Sequence, residues 1–159
     1  MSDNLNIKKQ FDIFVSYNQK SSKDVVDRIA LRLQNNEKFK VWIDHDIMSA
    51  GTQLYQKMEE GLRQSEIILC FITKEYCESE NCRFELSFTI ENKLKRIFII
   101  LEPNLNKQNL YGIGILIAGS LRFNAYKPPN TFNPWSEDLY QKLVYSINAL
   151  KLGSTLPVE

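Results

Sequence analysis

The chain has 159 residues, 43% hydrophobic and 25% charged, a balance that supports one folded domain with a sizeable core and excludes a disordered class. Its formal net charge of +1 supplies no strong field, so neither nucleic acid nor an anionic membrane is expected as a partner. No apolar run reaches the roughly 18 residues of a membrane span, so no membrane insertion is expected.

Three cysteines, Cys70, Cys77 and Cys82, are an odd number and suit a reducing, cytoplasmic setting. With the single histidine, His45, they make no metal-ligand spacing, so no metal is expected. Residues 1–10 are polar and read as a flexible lead-in rather than a secretory leader. The folded domain is expected over residues 11–152, with 153–159 as a tail.

In chain order, residues 11–17 are aromatic and β-branched and nearly all apolar, which predicts a central parallel strand buried on both faces. Ser21, with Asp24 three residues on, resembles a capping box that opens a helix. Val25, Ile29 and Leu33 give that helix its inner face, and residues 34–36 end it. Residues 39–43 predict a second strand. A loop follows in which Gly51 can adopt a backbone angle closed to other residues, and Thr52 is placed to cap the next helix. Leu54, Met58 and Leu62 recur every fourth residue along that helix.

Residues 66–73 predict a third buried strand, and 96–101 a fourth. Between them lies a helix over about 81–94, with Leu86, Ile90 and Leu94 as its apolar stripe. Residues 103–109 are loop, 111–120 a short helix or an extended segment, and 121–123 a short edge strand. Three prolines make 127–134 loop. Ser136, followed by Glu137 and Asp138, caps a final helix packed through Leu139, Leu143, Ile147 and Leu150.

Strands alternating with helices across short links predict an α/β fold with a parallel sheet and helices on both faces. In such sheets ligands bind outside the carboxyl ends of the strands, at the switch in strand order. The ends concerned are Tyr17–Asn18, Asp44 and Thr73. Glu85 lies one position off the apolar stripe of its helix, about 100° round the axis, where a cleft wall would be.

These segments together resemble a known family. Residues 12–17 (Asp-Ile-Phe-Val-Ser-Tyr) look like the opening box of a Toll/interleukin-1 receptor (TIR) domain. Val41-Trp42-Ile43-Asp44, with Gly51 seven residues after Asp44, resembles the second strand and the BB loop. Residues 65–73 resemble the third strand. Ser79, Cys82, Glu85 and Leu86 resemble the Ser-x-Trp-Cys-x-x-Glu-Leu box, with Asn81 in place of the Trp, and 132–135 is a weaker echo of the last box. The resemblance covers residues 11–150.

It implies a flavodoxin-like, doubly wound, five-stranded parallel sheet in the order 2-1-3-4-5. It also implies homotypic assembly with other TIR domains and, in some members, cleavage of NAD+ to nicotinamide and ADP-ribose or a cyclic form. The family's catalytic glutamate carries over to Glu85. Tyr17, Asn18, Trp42, Asp44, Ser49, Gly51 and Cys82 are the expected substrate-contacting set, and Ile47 and Met48 the apolar groups for self-association.

The chemistry fits a single carboxylate. Ordinary glycosidases need a second one to protonate the leaving group. Nicotinamide departs neutral from a pyridinium, so one ionised carboxylate near the ribose suffices to stabilise the developing positive charge. NAD+ is then a substrate, and no separate cofactor is expected; no Gly-x-Gly-x-x-Gly fingerprint is present.

Tyr17 and Trp42 serve either as stacking platforms or as core aromatics. Cys82 has no basic partner in its motif and reads as a buried thiol rather than a nucleophile. Two functions stay open. Glu85 favours an NAD+-cleaving signalling enzyme, and the absence of Trp at position 81 favours a non-catalytic adaptor. A phosphorylated receiver shares the fold class but needs acidic groups at strand ends, and Asp12 begins its strand.

Overall fold

A computed structural model describes residues 8–43, 52–103, 105, 114, 117, 120–126 and 136–153, with the backbone alone for 52–54. Five strands, β1 (Phe11–Ser16), β2 (Val41–Trp42), β3 (Ser65–Ile72), β4 (Lys95–Ile100) and β5 (Arg122–Asn124), form one sheet. Its order is β2-β1-β3-β4-β5 and every pairing is parallel. Among the described residues the continuous helices are α1 (Gln19–Glu37), α2 (Thr52–Arg63), α3 (Lys74–Glu78), α4 (Glu80–Glu91) and α5 (Glu137–Lys151). The parallel α/β sheet is the one expected from the alternation, and its flavodoxin-like order is the one the family resemblance implies.

Alternate residues of each strand face opposite sides of the sheet. Ile13, Val15, Leu69, Ile97 and Ile99 join Ile29 and Leu33 of α1 and Leu143 and Ile147 of α5 in one core. Phe14, Ile68, Cys70 and Phe98 join Leu62 of α2, Tyr76 of α3 and Leu86 of α4 in the other. Each such side chain, taken fully out of water, stabilises the fold by roughly 1.5–3 kcal/mol before entropy is counted. β1 is interior and flanked on both sides, but the middle place belongs to β3, which at eight residues is longer and buried from Ile67 to Ile72.

Several boundaries differ from the sequence reading. Asn18, not Ser21, caps α1: its Oδ1 accepts the Ser21 N–H at 3.1 Å. Ser21 sits inside the first turn, and its hydroxyl pairs with Thr73 Oγ1 at 3.0 Å. Val26 takes the buried place beside Ile29 and Leu33, with Val25 half-buried. α1 continues to Glu37, where Lys38 adopts a left-handed φ of 62° and returns its N–H to the Leu33 carbonyl. β2 shrinks to two residues. α4 starts at Glu80 and stops at Glu91, leaving Leu94 outside it. α3 was not foreseen.

Gly61 explains how closely α2 lies on the sheet. A Cβ there would come within 2.8 Å of Trp42 Cε2 and 2.9 Å of Phe14 Cε2. Among the described residues, no helix is long and apolar enough to cross a membrane.

Candidate active site

Glu85 is positioned by the way α4 begins. Ser79 is extended, and its Oγ accepts the Cys82 N–H at 3.3 Å, which satisfies one of the free donors of the first turn. Cys82 then points inward, and its thiol donates to the Tyr17 carbonyl at 3.5 Å. One turn later the Glu85 side chain emerges half-buried at the rim of the core. The Thr89 hydroxyl donates to the Glu85 backbone carbonyl at 2.7 Å.

A second contact fixes the same strand end. The Tyr76 phenol and Ser16 Oγ share a hydrogen bond of 2.7 Å, and both residues are fully buried. Tyr76 is held in turn by Thr73, which caps α3 and accepts the Tyr76 N–H at 3.0 Å.

Glu85 lines two depressions. One, of about 480 Å³, lies at the carboxyl ends of β1 and β3, where strand order switches. Its walls are Tyr17 to Lys20 after β1, Glu75 and Glu78 on α3, and Ser79, Asn81, Cys82 and Glu85 at the start of α4. The other, of about 690 Å³, runs between α2 and α4 and is largely apolar, with Tyr55, Met58, Leu62, Phe84 and Phe88. Glu59 and Glu91 edge it. Tyr55 and Phe84 meet edge-on across it, ring centroids 5.3 Å apart.

Three carboxylates and one ammonium give the strand-end depression a negative character, which suits a cationic ligand. Burial, and then the nearby Glu85 charge, push the Cys82 thiol up to about 12. Burial likewise carries Cys70 to about 12 and Tyr76 well above the usual phenol range. The thiols therefore stay protonated at neutral pH, and Cys82 is a donor rather than a nucleophile.

The structure brings Glu85, Asn18 and Cys82 to one depression. Tyr17 borders it too, but its ring packs in the core with α1 and is only 7% exposed, so it offers little face for stacking. Trp42 borders neither depression around Glu85. Its ring stacks on Phe14, 6.3 Å between centroids and 9° between planes, with Phe11 edge-on at 5.3 Å. Both expected platforms are thus packing groups here.

Asp44, Ile47, Met48, Ser49 and Gly51 lie outside the described residues, as do 132–135. Within the described residues the second wall comes from the segment after β3, not from the end of β2. Glu75 and Glu78 were missed as lining residues because α3 was missed, and Gln19 and Lys20 because the sequence reading opened α1 at Ser21 and left them in a loop. Thr73 followed by a short charged run was the available signal for its cap.

A model of the TIR domain matches residues 13–143. The chain is 27% identical over 118 residues to a protein named 2' cyclic ADP-D-ribose synthase BtTIR from Bacteroides thetaiotaomicron. That match covers 73% of this chain and 41% of the relative. It is also 27% identical over 78 residues to a probable 2' cyclic ADP-D-ribose synthase, TcpO, from Methanobrevibacter olleyae, covering 49% of this chain and 23% of that one. The chain therefore matches less than half the length of these relatives. Among solved structures, the TIR domain of the Toll-related receptor TRR-2 from Hydra magnipapillata superposes with a TM-score of 0.60. At 13% identity over 87% of this chain and 99% of that one, it shows the fold alone.

Proposed function

The chain belongs to the TIR-domain family, and from that premise we propose that it cleaves NAD+ at the N-glycosidic bond, with Glu85 as the catalytic carboxylate and self-association as the activating step. The observation that carries this reading is the half-buried Glu85 at the switch point of a parallel sheet, lining with Asn18 a depression rich in carboxylates. The two relatives named as cyclic ADP-ribose synthases support it.

The electrostatics suit the nicotinamide-ribosyl end of the substrate. That end carries the pyridinium charge, and the bond breaks toward a ribosyl cation while the bonding pair leaves with neutral nicotinamide. Glu85, held on a helix fixed at both Ser79 and Cys82, stabilises that cation without reorganising. Water adding to the anomeric carbon and losing a proton gives ADP-ribose. An internal nucleophile of the same dinucleotide gives a cyclic product, which the names of the relatives favour. The diphosphate end gains little from a wall with Lys20 as its one cation among the described lining residues.

The test is incubation of concentrated protein with NAD+ and chromatography of the products. Nicotinamide release with a matching nucleotide product is expected. No nicotinamide at any protein concentration, including under crowding that drives assembly, overturns the enzyme.

The adaptor reading then takes over. It has one observation of its own, since Asn81, where the family motif carries Trp, lines the depression and supplies no aromatic wall. For self-association, the apolar Ile47 and Met48 are the proposed contacts. Light scattering should show concentration-dependent growth for the wild type and a loss of it for Ile47→Asp. Equal association by both proteins removes these residues from the interface.

A further inference from the structure

We infer that Tyr76 and Cys82 are positioning residues that clamp the end of β1 from two helices and so set the distance between Glu85 and Asn18. The inference rests on the NAD+-cleavage reading and adds to it a positioning role for Tyr76, which lines neither depression, and for Cys82, which borders the strand-end one.

The two contacts are adjacent in the chain and opposite in origin. Ser16 Oγ is bound by the Tyr76 phenol of α3 at 2.7 Å, and the next carbonyl, that of Tyr17, is bound by the Cys82 thiol of α4 at 3.5 Å. Asn18 follows immediately and both caps α1 and lines the depression. Glu85 follows Cys82 by three residues on one helix. The chain between the two walls is therefore fixed at Ser16 and Tyr17, and neither wall can shift without breaking a buried hydrogen bond. Thr73 extends the clamp to α1 through Ser21 Oγ at 3.0 Å. Burial keeps the Tyr76 phenol and the Cys82 thiol protonated, as the clamp requires. Misplacement of a reacting group by about 1 Å costs on the order of 10²-fold in rate, so a modest loosening is readable in kcat.

The experiment uses Tyr76→Phe, Ser16→Ala and their combination, together with Cys82→Ala and Cys82→Ser. Tyr76→Phe strands the buried Ser16 hydroxyl, whereas the double variant removes both partners and recovers stability. For positioning residues, kcat falls by about tenfold in Tyr76→Phe and stays low in the double variant even as its melting temperature recovers, with KM within about twofold of wild type. Cys82→Ser keeps a donor and should retain more kcat than Cys82→Ala. A kcat that tracks the melting temperature through the series overturns the clamp as a catalytic device.

A second readout needs no turnover. Amide hydrogen exchange in Tyr76→Phe should rise by about tenfold at Ser21, Ser22, Cys82 and Arg83, whose N–H groups are bonded at the two walls, and remain unchanged in α5. Unchanged exchange at both walls overturns the clamp. Absence of nicotinamide release from the wild type overturns the NAD+ reading instead and leaves exchange to decide the clamp.

Discussion

Glu85 divides two depressions that differ in what built them. The strand-end depression is made of element ends: Tyr17 and Asn18 just after β1, the first residues of α1, Glu75 and Glu78 of the short α3, and the Ser79 cap with the first turn of α4. It is polar because caps and strand ends carry unpaired backbone groups that attract polar side chains. The α2–α4 groove is made of two helix flanks and is apolar because Met58, Leu62, Phe84 and Phe88 continue the core outward. The groove is the larger of the two, yet volume says nothing about chemistry. Three carboxylates line each of them, so charge does not separate the two; what singles out the strand-end depression is its place where strand order switches.

The largest expected effect separates Glu85 from everything else on its helix. Glu85→Gln keeps shape and removes charge, so turnover should fall by about 10²-fold or more. Its stability should stay within about 0.5 kcal/mol of wild type, since a rim carboxylate supports little packing. Glu91→Gln, on the same helix but at the edge of the apolar groove, should keep its activity. Turnover that survives Glu85→Gln would remove the assignment.

The next effect concerns the floor of the polar side. Cys82 and Cys70 are raised to about 12 in the fold, above the ordinary 9.0 of the free thiol. Between those values the unfolded chain binds fewer protons than the folded one. Stability from these thiols is therefore complete below pH 9 and lost as pH rises toward 12. The slope is on the order of 1.4 kcal/mol per pH unit for each thiol. Urea unfolding measured at pH 8 and pH 10 reads this directly, and equal midpoints would show that the thiols are not buried as described.

A smaller effect tests the apolar side. Gly61→Ala adds a methyl that meets Trp42 and Phe14 at under 3 Å. Overpacking of about 1–3 kcal/mol outweighs a helix-propensity gain of about 1 kcal/mol, so a net loss on the order of 1 kcal/mol is expected in thermal melts. A variant as stable as wild type would mean that α2 does not lie so close to the sheet. The smallest effect is that of Phe84→Ala, which removes the edge contact with Tyr55 and costs about 0.5–1.5 kcal/mol. Its KM for NAD+ should stay within about twofold, because the substrate occupies the polar depression. A tenfold rise would extend the substrate site into the groove.

Much of this was legible in advance where a residue's role depends on its immediate neighbours. Ser136 capping α5 is one case, its Oγ accepting the Leu139 N–H at 3.1 Å. Glu85 beside the buried Leu86 is another. The N-terminus of α1 shows the limit. Ser21 and Asn18 both satisfy a capping preference, and local chemistry alone does not rank them. Thr73, 52 residues away, takes up the Ser21 hydroxyl, and Asn18 is left as the cap.

The sequence by itself determined the strand and helix alternation, hence the parallel sheet, and the placing of a carboxylate on the edge of a helix stripe. Those follow from periodicity and composition, which every short window of the chain carries. Only the tertiary structure decided which strand ends stand beside Glu85, that the Tyr17 ring packs in the core at the border of the depression, and that Trp42 borders neither depression. It also decided that Tyr76 reaches Ser16 across 60 residues of chain. Period-2 alternation tells which residues share a face, but not which helix the crossovers lay over that face. The site is assembled at that second step.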